Sequence, residues 1–157
     1  MTASTEAITR AGIAARAADE KLGEDILVLD VSDRLAITEV FLLCSGDNER
    51  QVDSIVDEIE AELSEKEGVK PNRREGHRDG RWVLLDYGEL IVHVQRRDER
   101  EYYALDRLYR DCPQIEVEGV EQADRGAWAS DVEVDSVDAA SVEDLPLAGP
   151  APDADSF

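Results

Sequence analysis

The sequence predicts an α/β fold in which helices cover a mixed β-sheet. Two segments carry apolar residues at three- and four-residue intervals, which is typical of amphipathic helices. Several short apolar runs, rich in β-branched residues, are typical of buried strands. Because these helical and strand-like segments alternate, the helices are expected to bury their apolar stripes on the sheet. The length of 157 residues favours a single domain.

A first helix is predicted over residues 5–22. Its apolar stripe consists of Ile8, Ala11, Ala15, Ala18 and Leu22. Ser4 or Thr5 can cap its start, because a hydroxyl oxygen there accepts from a free backbone amide. Gly23 can end the helix in the left-handed conformation.

Two strands and a second helix follow. The strands are predicted over residues 25–31 and 39–44, where apolar residues run together. A helix is predicted over residues 49–64, since Asn48 followed by Gln51 resembles a capping box. Its apolar face consists of Val52, Ile55, Val56, Ile59 and Leu63.

The second half of the chain predicts a hairpin and a last helix. Residues 69–80 are polar and leave room for a short edge strand and a loop. Residues 81–87 and 90–95 form the hairpin, because Gly88 can supply the positive φ of a tight turn. Asp98 is predicted to cap the last helix. The buried side of that helix is assigned to Tyr102, Leu105, Leu108 and Tyr109.

The predicted domain covers residues 1–112, and residues 113–157 are predicted to be an acidic disordered tail. The net charge is −21, and the tail contains 12 acidic residues against one basic residue. Binding to phosphates needs clustered Lys and Arg side chains, and this chain is acidic overall, so nucleic acid is not expected as the main partner. A negative surface suits a basic protein partner, although solubility alone explains the charge equally well.

Cysteine usage and hydropathy predict a cytoplasmic protein without a membrane partner. Cys44 and Cys112 form no CxxC pair, which argues against a disulfide scaffold and a zinc site. The N-terminus lacks the pattern of a secretory signal. No apolar stretch reaches the roughly 20 residues of a membrane span.

The sequence predicts no catalytic residue, metal or cofactor. Asp30 and Asp33 could together hold Mg²⁺, but capping a strand end is the favoured interpretation. Glu75 and His77 would supply two metal ligands without a third. His93 lies in a strand-like run, where a hydrogen-bonded structural role is expected. No phosphate-binding loop or nucleophile elbow is present.

The first strand of the hairpin is the most informative segment. Strands alternate their faces, so Trp82, Leu84 and Asp86 share one face. If that face is open, Trp82 is a suitable interface anchor, and Asp86 selects a Lys or Arg of the partner. If helices cover both faces, Trp82 belongs to the core.

Several sequence blocks occur in order along the chain. They are Asp30-Val31-Ser32-Asp33, Ser45-Gly46, Glu49-Arg50-Gln51-Val52, Glu75-Gly76, Arg81-Trp82-Val83-Leu84-Leu85-Asp86-Tyr87-Gly88, Val92-His93-Val94 and Glu99-Arg100-Glu101-Tyr102-Tyr103-Ala104-Leu105-Asp106-Arg107-Leu108. In this combination the chain resembles the ribosomal silencing factor family, also called the Iojap family, over about residues 6–112. It departs from the family pattern at Glu39, Val40 and His77.

The resemblance implies a fold like that of nucleotidyltransferases but without the catalytic motif. Family members bind large-subunit ribosomal protein fourteen, a basic protein on the face where the ribosomal subunits meet. Occupying that face hinders subunit joining and lowers translation under nutrient limitation. Organellar members act in large-subunit assembly, and the family permits a homodimer off the ribosome. The resemblance therefore implies a regulator that is not an enzyme.

The expected partner-binding residues are Trp82, Leu84, Asp86, Tyr87 and Glu89. The apolar members would supply affinity, and the two acids would meet basic residues of the ribosomal protein.

Two other functions remain open from the sequence. One is a residual nucleotide-binding enzyme of nucleotidyltransferase type that uses Asp30 and Asp33. The other is a general adaptor whose acidic tail does the work, in which case deleting residues 113–157 would abolish binding.

Overall fold

The fold is described by a computed structural model that covers residues 2–76 and 81–123. In chain order the elements are α1 (Thr5–Glu20), β1 (Glu24–Asp30), β2 (Val40–Gly46), α2 (Glu49–Glu67), β3 (Arg73–Glu75), β4 (Trp82–Asp86), β5 (Leu90–Arg96), α3 (Arg97–Tyr103) and α4 (Leu105–Leu108). The strand order is β1-β2-β5-β4-β3. β2 and β5 run parallel, and the other neighbouring strands run antiparallel. The predicted mixed sheet with helices on it is confirmed.

The sheet buries side chains on both of its faces, because successive residues of a strand point in opposite directions. The first core lies between the sheet and the helices α1 and α2, and its strand members include Ile26, Val28, Val40, Leu42, Val83, Leu85, Val92 and Val94. The second core lies on the opposite face and contains Leu27, Leu29, Val31, Phe41, Leu43, Leu84, Ile91, Leu105, Tyr109 and Cys112. Each helix in the described ranges is too short or too polar to span a lipid bilayer.

Helix α1 begins as predicted but ends differently. The Ser4 Oγ accepts from the Ala7 amide at 3.1 Å. At the other end Leu22, not Gly23, takes the left-handed conformation, with φ of +64°. The Gly23 amide donates to the Ala18 carbonyl at 2.8 Å, and a Cβ on Gly23 would lie 3.0 Å from that same oxygen. Gly23 is therefore needed for close approach rather than for a positive φ.

Helix α2 has the predicted start and extends three residues further than predicted. The Asn48 Oδ1 accepts from the Gln51 amide at 2.9 Å. In return, the Gln51 Oε1 accepts from the Asp47 amide at 2.7 Å. Gly68 closes the helix with φ of +68°. The first contact satisfies a backbone amide that the first turn of a helix leaves free, and the second satisfies the amide of the residue before the N-cap.

The predicted hairpin is confirmed as the antiparallel pair β4–β5. Gly88 has φ of +91°, and its amide donates to the Asp86 Oδ1 at 2.8 Å. The Tyr87 amide closes the turn by donating to the Leu90 carbonyl at 2.8 Å. The short edge strand expected between residues 69 and 80 is β3.

The predicted last helix is two short helices, α3 and α4, separated at Ala104 by a left-handed residue with φ of +50°. Asp98 does not cap α3; its carboxylate instead pairs with Arg96 at 2.7 Å. Tyr102, assigned to the buried side, is 80% exposed. The break at Ala104 turns Tyr102 outwards while Leu105 still reaches the second core.

Ordered chain continues past Cys112, where the end of the domain was predicted. The Ile115 amide donates to the Val28 carbonyl at 2.8 Å, and Val117 is 8% exposed within the first core. Residues 113–123 therefore belong to the folded domain, and the predicted boundary is too early. The rest of the predicted tail, residues 124–157, lies outside the described residues, as does His77.

Candidate functional site

Three aromatic side chains meet where β4 begins and α3 ends. The rings of Trp82 and Tyr103 have their centroids 4.7 Å apart, and those of Tyr103 and Tyr102 are 4.9 Å apart. Tyr102 is 80% exposed and Tyr103 is 38% exposed, while Trp82 is half-buried. We call these three residues the aromatic patch. Large amphipathic rings at a surface supply contact area at low cost in side-chain entropy.

The aromatic patch is anchored to the second core through His93. The Trp82 Nε1 donates to the His93 Nδ1 at 3.3 Å. The His93 ring in turn packs edge-on against Phe41, with centroids 4.9 Å apart. A row of rings thus runs from the surface to the centre of the sheet, and Trp82 has a defined orientation.

His93 has the hydrogen-bonded structural role that the sequence predicts, and its imidazole is neutral. Its burial, together with the nearby charge of Arg100, lowers the pKa of the imidazole to about 3. Because the Nδ1 accepts from Trp82, the ring proton belongs on the Nε2. Within the described part of the chain that Nε2 has no hydrogen-bond partner.

Arg100 holds α3 against the sheet. Its side chain is 5% exposed and pairs with the Asp106 carboxylate at 2.8 Å. The same guanidinium donates to the Asp25 carbonyl at 2.7 Å. Because Arg100 joins the helix that carries Tyr102 and Tyr103 to the start of β1, it holds these two members of the aromatic patch in position.

Charged side chains lie along β3 and β4, on the face of the sheet that also carries Trp82. Arg73 pairs across the strands with Asp86, and its guanidinium is 3.5 Å from the Asp86 carboxylate and 2.9 Å from that of Glu75. The Arg73 side chain is 60% exposed. Ion pairs this exposed contribute little to stability, so a partner can exchange them at low cost.

The structure only partly brings the five predicted binding residues together. Trp82, Leu84 and Asp86 share a face, but Leu84 is 4% exposed and belongs to the second core. Tyr87 is 6% exposed on the opposite face, in the first core. Glu89 lies in the hairpin turn, where its carboxylate pairs with Arg10 at 2.7 Å. The expectation of one exposed surface is therefore wrong for Leu84 and Tyr87, because both faces of β4 are covered there.

The exposed rings of Tyr102 and Tyr103 are absent from the predicted binding residues. Residues of an α-helix advance by about 100° each, so two consecutive tyrosines cannot both face the core. The pair Tyr102-Tyr103 therefore carried a signal for at least one exposed ring. A single helix running through Ala104 would place Tyr102 on the buried side, and the break at Ala104 removes that constraint.

Asp30 caps the end of β1 as the favoured interpretation expected. Its Oδ1 accepts from the Ser32 amide at 3.0 Å and from the Ser32 hydroxyl at 2.6 Å. Its Oδ2 accepts from the Ala3 amide at 3.0 Å. Burial alone would raise the pKa of this carboxyl, but these hydrogen bonds outweigh it and lower the pKa. Across residues 2–76 and 81–123, no group of three His, Cys, Asp or Glu side chains could hold a metal ion.

The chain is similar to known proteins both in sequence and in structure. A family model described as ribosomal silencing factor during starvation matches residues 4–141. The ribosomal silencing factor RsfS of Bacillus subtilis is 43% identical over 101 residues, which cover 64% of this chain and 85% of that protein. The protein of the same name from Halalkalibacterium halodurans is 39% identical over 108 residues, or 69% of this chain and 92% of that one. A crystal structure of a Chromobacterium violaceum protein matches with a TM-score of 0.62 at 31% identity, covering 76% of this chain and 96% of the other.

Proposed function

Because the chain belongs to the ribosomal silencing factor family, we propose that it represses translation by binding large-subunit ribosomal protein fourteen. The bound protein blocks association of the two ribosomal subunits under nutrient limitation. It acts in the cytoplasm, has no catalytic activity, and can also take part in large-subunit maturation. The observation that carries the proposal is the aromatic patch, in which the exposed rings of Tyr102 and Tyr103 pack beside Trp82, and Trp82 is hydrogen-bonded to His93.

The chemistry of the patch suits a basic protein surface. Tyrosine and tryptophan rings bind aliphatic stems and attract cations above their faces. On α3 the exposed Glu101 adds a negative charge beside the rings, while the Asp98 carboxylate is paired with Arg96. The overall charge of −21 accelerates encounter with a basic partner and leaves affinity to the buried contacts.

Of the five residues expected to bind, Trp82 and Asp86 remain direct contacts in this proposal. Leu84 and Tyr87 act from beneath, by filling the two cores that support β4. Glu89 is held by Arg10 and contacts the partner only if that pair opens. Tyr102 and Tyr103 are added to the contact set. A homodimer off the ribosome would use the same exposed rings, since apolar surface of this kind favours self-association.

The decisive experiment is co-sedimentation with purified large subunits. Tyr102→Ala removes an 80% exposed ring, so the fold is kept and the affinity is expected to fall about tenfold. Ile8→Ala is the matched control, because Ile8 is 39% exposed on α1 and lies on the other side of the sheet. Both variants are also tested for inhibition of subunit joining. Equal binding by Tyr102→Ala and the unmodified chain would remove the aromatic patch from the proposal.

A further inference from the structure

The outer edge of the sheet at β1 is covered by the chain itself. β1 pairs with β2 on one side, which leaves its other backbone groups facing outwards. The Asp30 amide donates to the Pro113 carbonyl at 2.8 Å, and the Ile115 amide donates to the Val28 carbonyl at 2.8 Å. Residues 113–123 therefore run along this edge, and we call them the edge segment.

Gln122 completes the edge with its side chain. The Gln122 Oε1 accepts from the Val28 amide at 2.8 Å, and the Gln122 Nε2 donates to the Ile115 carbonyl at 2.7 Å. The next residue, Ala123, donates its amide to the Ile26 carbonyl at 2.8 Å. A carboxamide offers the same donor and acceptor as a peptide group, so Gln122 takes the place of a missing residue in a sixth strand.

Apolar contacts fasten the edge segment to the first core. Val117 is 8% exposed there, and Ile115 and Val120 pack against the same cluster. The Arg16 guanidinium also donates to the Glu118 carbonyl at 3.4 Å. The segment is thus bound by both backbone pairing and side-chain burial, as an added strand would be.

The two edges of the sheet are protected in different ways. The β3 edge is three residues long and reads Arg-Arg-Glu, which is short and charged. The β1 edge is seven residues long and carries the apolar run Ile26–Leu29. Short charged edges resist pairing with another chain, whereas long apolar edges invite it. β1 therefore needs a cover that β3 does not.

We propose that the β1 edge is a binding site for an extended peptide segment, that residues 113–123 occupy it within the same chain, and that this occupation prevents a second copy from pairing there. Gln122 is the residue on which the fit depends. With the segment displaced, two β1 strands present identical unpaired groups and can pair antiparallel about a two-fold axis. This inference is independent of the aromatic patch and of ribosome binding.

The test uses Gln122→Ala in the full chain, with Gln114→Ala as the matched control in the same segment. In dilute solution, where a second copy does not yet pair with β1, Gln122→Ala is expected to raise the hydrogen-exchange rate of the Val28 amide at least tenfold. Its sedimentation should also show concentration-dependent association beyond that of the unmodified chain. Gln114→Ala should change neither, since the Gln114 side chain supplies none of the hydrogen bonds to β1. Faster exchange without added association, or association without faster exchange, overturns the proposal.

A peptide with the sequence of residues 113–123 makes the test specific. Added to the Gln122→Ala chain, it should restore slow exchange at Val28 and reverse the association, whereas the same peptide with the Gln122→Ala change should not. Val117→Ser in the full chain provides a second way of loosening the segment, because Val117 is buried. If both Gln122→Ala and Val117→Ser keep Val28 protected, the edge segment is not the cover that we propose.

Discussion

At the scale of single residues, the buried imidazole of His93 makes the stability of the fold depend on pH. Its pKa in the folded protein is about 3, against an ordinary value of 6.5. As the pH falls below 6.5, the unfolded chain takes up a proton that the folded chain refuses. Above pH 6.5 the titration of His93 therefore leaves the unfolding free energy unaffected. Below pH 6.5 the unfolding free energy falls by up to about 1.4 kcal/mol per pH unit.

His93→Gln tests this prediction, because glutamine keeps an acceptor for Trp82 and cannot titrate. Between pH 6.5 and 5 the unfolding free energy of the variant should depend less steeply on pH, by about one proton. Urea denaturation at several pH values measures the slope. Identical slopes for the two proteins would contradict a buried neutral imidazole.

Leu22 shows why residue-level predictions fail at helix ends. A glycine close to the end of a helix normally takes the left-handed position, and Gly23 was the candidate. The structure places Leu22 there instead, 76% exposed. Gly23 is retained for another reason, since a Cβ would press against the Ala18 carbonyl. That close approach depends on the path of the backbone from α1 into β1, and the local sequence does not predict this path.

At the scale of elements, α3 depends on one buried cation. Arg100→Met removes the donors that reach Asp106 and Asp25 and leaves the Asp106 carboxylate, 17% exposed, without its partner. We expect a loss of about 2–4 kcal/mol in unfolding free energy, because breaking a buried pair leaves an uncompensated charge. Chemical denaturation measures it.

A double-mutant cycle with Asp106→Asn provides the control for this prediction. If the pair is the main contribution of Arg100, the loss from Arg100→Met should shrink in the Asp106→Asn background. Fully additive losses would mean that Arg100 acts mainly through the Asp25 carbonyl. Either substitution should also weaken large-subunit binding, because it loosens the attachment of α3, the helix that carries Tyr102 and Tyr103.

Elements with a strong local pattern were predictable from sequence. Helices α1 and α2 follow from apolar periodicity and caps, and the hairpin follows from alternation around Gly88. The break at Ala104 was not predictable, because alanine carries no preference for a positive φ. It is imposed by the contacts of Arg100 and Leu105 on either side. The exposure of the candidate site depended on that break, so its residues could be predicted only in part.

At the scale of the whole molecule, a C-terminal truncation tests the role of the acidic tail only if it leaves residues 113–123 in place. Removing residues 113–157 would take away the edge segment as well as the acidic tail. Removing residues 124–157 leaves every hydrogen bond to β1 described above in place. We expect this shorter deletion to keep the thermal midpoint and to weaken large-subunit binding only through a slower association rate. If the tail were the adaptor, binding would be lost.

The same deletion should change the kinetics of binding. It removes most of the acidic residues beyond Cys112, so the association rate should fall and lose part of its salt dependence, while the dissociation rate stays constant. Stopped-flow mixing with large subunits at two ionic strengths separates the two rates. The predicted boundary at Cys112 failed because the edge segment is held by backbone groups and one glutamine, which composition does not reveal.

The strand order has a consequence for the time course of folding. β5 lies between β2 and β4, and β2 is buried along its whole length. The nascent chain therefore produces α1, β1, β2 and α2 long before the central partner of β2 exists. Pairing over such a sequence separation is slow, and an unpaired apolar strand is exposed meanwhile. Until residue 96 has left the ribosome, β2 lacks one of its two neighbouring strands, so its apolar side chains are more exposed than in the finished domain.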